Sequence, residues 1–362
     1  MDFTTGGRLE VRITPDDVGK RISVRLVTED RETGATFTDV VGVLTSWTQG
    51  TLAITRRTGE PVRVAEASLV AGKVVPAAPA RRRGPAASAP ELDRVAARAW
   101  PPVTSELLGE WTLRASGGFT RRANSVLPLG DPGMGLDAAL RRVTSWYAAR
   151  ELPAYIQVST GAEATQELLA AELESRGWIR EVSARMLVAA LAPLGDLDAD
   201  ASAVTLSRQL DDAWLTRYQR SSGEPSPEAR AVLSGGPSVW FATIAAGEGA
   251  TLAAGEGATL AAEGGGAPTT EERGAPAAIG RCVVDGRWAG FSAVEVAPER
   301  RRQGLARAVM TALARKALDE GASAAYLQVE SDNGGAHALY ENMGFTVHHS
   351  YHHWRASGED PR

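Results

Sequence analysis

Hydrophobic and polar positions alternate through residues 8–75 in short runs, RLEVRI, RISVRLVT, FTDVVGVLTSW, GTLAITRR and PVRVAE, separated by Gly and Asp turns. Alternation rich in β-branched residues marks half-buried strands, so this segment predicts a small all-β unit with TQGT as a tight hairpin turn. From residue 91 the period changes. ELDRVAARAW begins a helix, WTLRAS and ANSVLPL read as strands, and GLDAALRRVTSWYAAREL sets Leu136, Leu140, Val143 and Tyr147 on one helical face. The strand AYIQVS, the helix TQELLAAELESRGW and the strand SARMLVAAL complete a β-α-β-α-β order. Residues 203–356 repeat that order with more in front of it. AVTLSRQL is strand-like, DDAWLTRYQRSS and PEARAVLSG are helical, and SVWFATIAA is a strand; AAIGRCVVDGRWAGFSAVEV then gives two strands joined at Asp285-Gly286. QGLARAVMTALARKALDEG is a helix with Leu305, Val309 and Leu313 in register, AAYLQVE a strand, GGAHALYENMGF a short helix stopped by Gly344, and TVHHSYHHW a last strand.

This reading divides the chain into a β unit (1–75), a Pro/Ala/Arg linker (76–90), an α/β segment (91–195) and a longer one (203–356) with a low-complexity insertion at 245–276. The insertion carries GEGATLAA twice in tandem, and such sequence buries too little apolar surface to offset its ordering entropy. The two α/β segments share a heptad: AYIQVST at 154–160 returns as AYLQVES at 325–331, 171 residues later. Duplicated architecture, two working sites and chance are the three possible sources of this repeat.

Composition removes several classes of function. At 362 residues the chain has room for two or three cores, and 43% hydrophobic with 23% charged residues is ordinary globular usage. No run approaches the ~20 apolar residues that span a bilayer, and MDFTTGGRLEVRI lacks a basic-then-apolar leader pattern, so a cytoplasmic address is expected. The single cysteine, Cys282, excludes an internal disulfide and suits a reduced compartment. A net charge of −5 gives no push toward nucleic acid, and the one dense basic run, Arg81 to Arg83, lies in the linker.

The most informative stretch is VEVAPERRRQGLARAVM, residues 294–310. A strand ends at Val296, Pro298 breaks it, and a basic turn containing Gly304 leads directly into a helix. Free backbone N–H groups and the positive end of the helix dipole then converge on one spot, which is a way to hold a pyrophosphate. Downstream, LQVESDNGGAHALYENMGF supplies a strand, Asn333, Ala336, Leu339, Tyr340 and Gly344-Phe345. Together, Arg301, Gly304 and Ala306 in the first stretch and those residues in the second resemble the GNAT superfamily of acyl-CoA-dependent N-acyltransferases, over residues 203–350.

The resemblance implies an α+β GNAT fold, a mixed sheet flanked by helices, with its fourth and fifth strands, GFSAVEV and AAYLQVE, splayed apart. Acetyl-CoA is the implied co-substrate, without a metal. Main-chain groups of Val294 and Val296 are expected on the pantetheine amides, and Arg301, Arg302, Gln303, Gly304, Leu305 and Ala306 on the pyrophosphate. The amine attacks the thioester directly, so an oxyanion and a thiolate need stabilising; Tyr340 is the implied general acid. Its alternative is a core aromatic. Asn333 either contacts the cofactor or caps the short helix. Glu295 and Glu330, on the two splayed strands, are candidate bases or solvated, salt-bridged carboxylates.

The same offset places GDPGMG, residues 130–135, opposite RRQGLA, with Asp131 and Pro132 where Arg302 and Gln303 stand; aligning Gly177-Trp178 with Gly344-Phe345 puts Leu173 opposite Tyr340. The first copy thus resembles a degenerate GNAT half, as in tandem GNAT proteins such as mycothiol synthase, and residues 1–75 resemble an SH3-like barrel, an arrangement similar to an actinobacterial class of GNAT proteins. Its available aromatics are Phe3, Phe37 and Trp47, which favours a structural or docking role over proline-rich peptide binding.

The amine acceptor is expected to be shaped by DDAWLTRYQRSS and the last strands; a small amine and a protein lysine both remain open. Alternation in the last strand puts His348 and His352 on one face and His349 and His353 on the other, and a histidine here is a candidate for the acceptor pocket. Cys282, on an apolar strand, reads as inert. The rival from another class is a non-catalytic acyl-CoA sensor, which needs the anion clamp but not Tyr340.

Overall fold

A computed structural model describes residues 10–30, 34–76, 85–218, 225–246 and 274–357. The tandem GEGATLAA repeat and Arg81 to Arg83 lie outside the described residues. The first unit has strands β1 (Arg21–Asp30), β2 (Gly34–Thr48), β3 (Thr51–Thr55), β4 (Pro61–Ala65) and β5 (Leu69–Val74), in an antiparallel sheet ordered β4-β3-β2-β1-β5. The TQGT turn closes as read: Thr48 pairs with Thr51 while Gln49 (φ 50°) and Gly50 (φ 71°) both take positive φ, the twist that matches a two-residue hairpin. Ile22, Val24, Leu44, Leu52 and Ile54 form the buried face.

The sequence suggested a closed barrel. Instead β4 and β5 are the two edges, and among the described residues no ladder joins them. Of RLEVRI, Arg8 and Leu9 lie outside the described residues and the rest makes an isolated bridge, Val11 to Gly72; β5 itself was hidden because Gly72 interrupts the alternation. A Cβ at Gly72 would lie 2.9 Å from Ile13, so the packing there excludes a side chain.

The remaining elements are α1 (Ala89–Ala99), β6 (Thr104–Leu108), β7 (Trp111–Ala115), α2 (Leu136–Ala148), β8 (Tyr155–Thr160), α3 (Glu167–Ser175), β9 (Ile179–Ala190) and α4 (Ala192–Gly195), followed by β10 (Thr205–Ser207), α5 (Asp212–Arg217), α6 (Pro227–Ser234), β11 (Ser238–Ile244), β12 (Ala278–Asp285), β13 (Trp288–Val296), α7 (Leu305–Asp319), β14 (Ala324–Glu330), α8 (Gly334–Asn342) and β15 (Thr346–Arg355). ANSVLPL forms no strand; Leu127 and Val126 make isolated bridges to Thr112 and Ile156.

One mixed sheet gathers eight of these strands in the order β10-β11-β12-β13-β14-β9-β15-β8. It crosses the boundary between the 91–195 and 203–356 segments three times. β9, from the first, pairs with β14 and β15 of the second, and β15 pairs with β8 of the first. Each segment therefore lends its last strand to the other.

Strand alternation sends the two faces of this sheet into different cores. Ala278, Cys282, Phe291 and Leu327 pack with Val309, Leu313 and Ala314 of α7. Ile279, Val283, Trp288 and Tyr326 pack on the other face with Leu92 and Trp100 near α1, Trp214 of α5, and Val232 and Leu233 of α6.

The N-terminal unit is tied to the far end of this sheet. Arg57 donates to the carbonyls of Val347 (3.2 Å) and His348 (3.4 Å), and Arg180 to the carbonyl of Gly59 (2.6 Å). Beneath Gly59, the His352 ring sits between the hydroxyls of Thr160 (2.9 Å) and Ser183 (2.8 Å). Burial, helped by Arg180, pushes its pKa down to about 4. The unfolded histidine titrates near 6.5, so the unfolded state binds the extra proton first; stability present above pH 6.5 is lost as pH falls through 6.5 toward 4. At ~1.36 kcal/mol per unit the loss is about 3 kcal/mol. A Tm series from pH 7.5 to 4.5 is expected to fall, and His352→Gln to fall less steeply; parallel curves would remove His352 as the cause.

Candidate active site

β13 and β14 run parallel and pair only from Trp288–Phe291 against Ala324–Leu327. Beyond that point they part. β13 stays on β12 as far as Val296, opposite Ala278, and β14 stays on β9 as far as Glu330, opposite Ala184. The cause is a bulge in β13: its register on β12 shifts between Ile279 and Arg281, and Ala293 adopts φ 52°. An extra residue bends the bulged strand and re-aims its edge. The result is a slot walled by the backbones of residues 292–296 and 328–330.

The slot leads toward the turn before α7. After the short 3-10 turn Pro298–Arg300, both Arg302 (φ 65°) and Gly304 (φ 80°) are left-handed. Gly304 caps α7, and the first helical bond runs from the Ala308 N–H to the Gly304 carbonyl at 3.0 Å. The amides of Leu305, Ala306 and Arg307 therefore precede the helical ladder, at the positive end of the helix. Gly304 is demanded by its φ and not by crowding, since no heavy atom lies within 4 Å of where a Cβ would be. Arg301 and Arg302 are exposed, whereas Arg300 bonds to Gln303 Oε1 (3.0 Å) and the Ala246 carbonyl (3.3 Å), bracing the turn.

Tyr340 of α8 is 9% exposed and packs in the α7-side core with Phe291, Leu327 and Val329, edge-on to Phe345 at 5.8 Å. Val294, Val296 and Leu305 border the same cluster. Burial pushes the Tyr340 phenol up to about 12. Asn333 caps α8, its Oδ1 accepting from the Ala336 N–H at 3.0 Å.

Residues 87–354 match the profile of the family described as "Probable histone acetyltransferase Rv0428c C-terminal". The chain belongs to this family. Among its relatives, "Probable histone acetyltransferase Rv0428c" of Mycobacterium tuberculosis is 28% identical over 340 residues, covering 92% of this chain and 93% of that one. "Uncharacterized N-acetyltransferase YobR" of Bacillus subtilis is 28% identical over 273 residues, covering 73% and 97%. The solved "GCN5-related N-acetyltransferase from Kribbella flavida" shares the fold at 15% identity and a TM-score of 0.51, covering 75% of this chain and 97% of that one. The chain is an acetyltransferase of the GNAT superfamily.

Val294, Val296 and Val329 pack on the α7 side, so alternation turns the half-buried Glu295 and the exposed Glu330 to the opposite face of the sheet from Tyr340. Neither is without a partner. The histidines depart from simple alternation. The register of β15 on β9 shifts between Val347 and His349, which lets the His348 and His349 rings meet through their Nδ1 atoms at 2.8 Å. His349 also reaches buried Asp93 at 3.2 Å. Among the described residues no group of three His, Cys, Asp or Glu side chains is placed to hold a metal ion. Cys282 is fully buried, its thiol pushed up to about 12 by that burial.

The turn of the first segment is filled by its own acids. The Asp131 N–H donates to Glu110 Oε2 at 2.7 Å and the Gly133 N–H to Asp131 Oδ1 at 2.6 Å, and Leu173 is fully buried.

Sequence reasoning missed the arginines behind the slot. Arg281 is fully buried and donates to the carbonyls of Leu233 (2.6 Å), Ala99 (3.0 Å) and Gly235 (2.6 Å), while its Nη1 reaches the Ser292 hydroxyl at 3.3 Å. Arg122 donates to Gln328 at 2.6 Å and lies over Trp100. Only the low tolerance of an apolar strand for charge, in IGRCVV, signals the first; nothing local signals the second.

Proposed function

We propose that the chain transfers an acetyl group from acetyl-CoA to a primary amine by direct attack in the slot between β13 and β14. The observation that carries this reading is the bulge at Ala293, which opens a parallel strand pair onto a helix N-terminus with left-handed Arg302 and Gly304. A slot edged by unpaired backbone suits the pantetheine amides, and a turn of free amides flanked by Arg301 and Arg302 suits a pyrophosphate, so the residues present fit acetyl-CoA. Bound there, acetyl-CoA supplies the activated thioester.

In this reading the main chain at Val294 and Val296 orients the pantetheine, and residues 301–306 hold the phosphates. Gln303 and Arg300 brace the turn. Tyr340, a phenol kept protonated by burial, gives its proton to the departing thiolate. Glu295 or Glu330 takes the proton of the incoming ammonium, directly or through water. Asn333 holds α8, and with it Tyr340, through its cap. The alternative of an acyl-CoA sensor is disfavoured by Tyr340, which such a protein has no use for.

Residues 91–195 are read as a degenerate GNAT half. The reciprocal loan of β9 and β15 supports duplication, and Glu110 and Asp131 in the first turn argue against an anion site there. Residues 1–75 are read as an SH3-like docking unit. The name of the mycobacterial relative points to a protein lysine as acceptor, and a small amine is the other reading.

Calorimetry with acetyl-CoA is expected to give one site per chain, and thiol release to follow addition of an amine. Two equivalent acetyl-CoA sites would overturn the account of the first half.

A further inference from the structure

A cleft of about 490 Å³ opens on the sheet face opposite Tyr340, beside the end of β14, and Glu330 stands at its rim. Its walls come from both segments: Tyr155 of β8, Val182 and Ala184 of β9, Tyr351 and His353 of β15, and the turn bearing Arg121 and Arg122. Arg122 also lines a crevice of about 20 Å³ with Ser292 and Gln328, where β13 and β14 part. Arg122 thus borders both the cleft and the crevice at the mouth of the slot. Of DDAWLTRYQRSS (211–222), expected with the last strands to shape the acceptor site, residues 219–222 lie outside the described residues and 211–218 do not line the cleft, Trp214 and Tyr218 packing into the core; the last strand does line it.

Three observations say what the cleft takes. His353 is 3% exposed, yet among the described residues neither ring nitrogen has a hydrogen-bond partner. Such a buried, unsatisfied group is costly unless a ligand completes it. Next, Arg122 is bonded to a neutral amide and an aromatic face, and among the described residues no carboxylate lies within ion-pair distance of it. Arg121 reaches Glu181 only at 3.5 Å, because that carboxylate already takes Arg355 and the Tyr155 hydroxyl. Finally, Arg114, Arg121 and Arg122 all lie close enough to His353 to add to burial, the larger cause, in lowering its pKa well below the ordinary histidine range, so the cleft floor is flanked by positive charge.

We infer that this cleft is the acceptor site and that the acceptor is a small amine carrying an anionic group, a carboxylate or a phosphate, seated against Arg121, Arg122 and His353 with its amine directed along β14. The inference rests on the acetyl-transfer reading above. A lysine in a strongly basic tail, of the kind histones carry, meets two guanidiniums of its own sign, and like charges brought together disfavour binding. The volume lies within the range of small-molecule sites, and the aromatic walls of Tyr155 and Tyr351 suit a compact ligand.

The test uses the full chain with acetyl-CoA and matched acceptors: 4-aminobutyrate against butylamine, O-phosphoethanolamine against ethanolamine, and a basic lysine peptide. kcat/KM is measured by thiol release, and acceptor binding by calorimetry with CoA present. At least one member carrying an anionic group is expected to exceed its partner lacking that group by about tenfold or more, the gain of one charge-assisted contact. Arg121→Glu is expected to abolish or reverse that order while acetyl-CoA affinity stays within about twofold. His353→Phe removes two unsatisfied nitrogens and is expected to raise Tm while lowering kcat/KM for the anionic acceptor. Preference for the basic peptide, an order unchanged in Arg121→Glu, or no anionic preference in turnover or binding overturns the inference. Failure of acetyl-CoA to bind at all overturns the underlying acetyl-transfer reading instead.

Discussion

Tyr340→Phe is expected to bind acetyl-CoA as the wild type does and to lose about a hundredfold or more in kcat. The ring stays, so its edge contact with Phe345 and its place among Phe291, Leu327 and Val329 are kept, and no cavity is left. Only the proton is removed. General-acid assistance is worth about 10² to 10⁴ in rate, or about 3–5 kcal/mol of barrier. With the phenol pushed up to about 12 by burial, the group remains protonated throughout the neutral range. A proton donor is competent below its pKa, so wild-type kcat should show no falling alkaline limb from Tyr340 before roughly pH 11. Single-turnover rates between pH 6 and 10, beside calorimetric affinity, separate the two roles of the residue. An unchanged kcat would leave Tyr340 as a core aromatic and bring back the sensor reading.

Much of this site was legible because its chemistry is local in sequence. The turn 301–306 and the start of α7 sit in one stretch, and Gly304, Asn333 and Gly344 announce a left-handed cap, a helix start and a helix stop by residue type. The slot was another matter. Its opening depends on a bulge at Ala293, where an L residue takes φ 52°, and alanine carries no mark of that conformation. The pairing of β9 between β14 and β15 was equally hidden. Hydrophobic alternation says which face of a strand is buried, not which distant strand lies beside it. That pairing brings Val182 and Ala184 to the same cleft as Tyr351 and His353, so the acceptor side of the site belongs to the tertiary arrangement. The two matching heptads show the limit from both ends. AYLQVES becomes β14 beside the slot, while AYIQVST becomes β8 at the edge of the sheet, joined among the described residues to β15 and by a bridge from Ile156 to Val126.

Gly304→Asp is expected to leave the free protein's stability nearly unchanged and to weaken acetyl-CoA binding at least a hundredfold. A Cβ at Gly304 meets no heavy atom within 4 Å, so the substitution adds no clash. The φ of 80° is left-handed, but Asp is one of the residues that tolerates this region, at a cost below about 1–2 kcal/mol. A carboxylate at the N-terminus of α7 returns about 0.3–1 kcal/mol through the helix dipole. These nearly cancel, and Tm should move by no more than about 3 °C. The bound state has no such compensation: the new carboxylate takes the amides of Leu305 to Arg307 and repels a diphosphate brought to the same place. A hundredfold loss corresponds to about 2.7 kcal/mol, a modest demand on two opposed charges at contact distance. Gly304→Ala, which carries the backbone strain without the charge, should fall between wild type and Asp in affinity. Calorimetry on the three proteins, with melting curves alongside, reads the two quantities separately. If Gly304→Asp binds acetyl-CoA as tightly as Gly304→Ala, the turn before α7 is not where the phosphates sit.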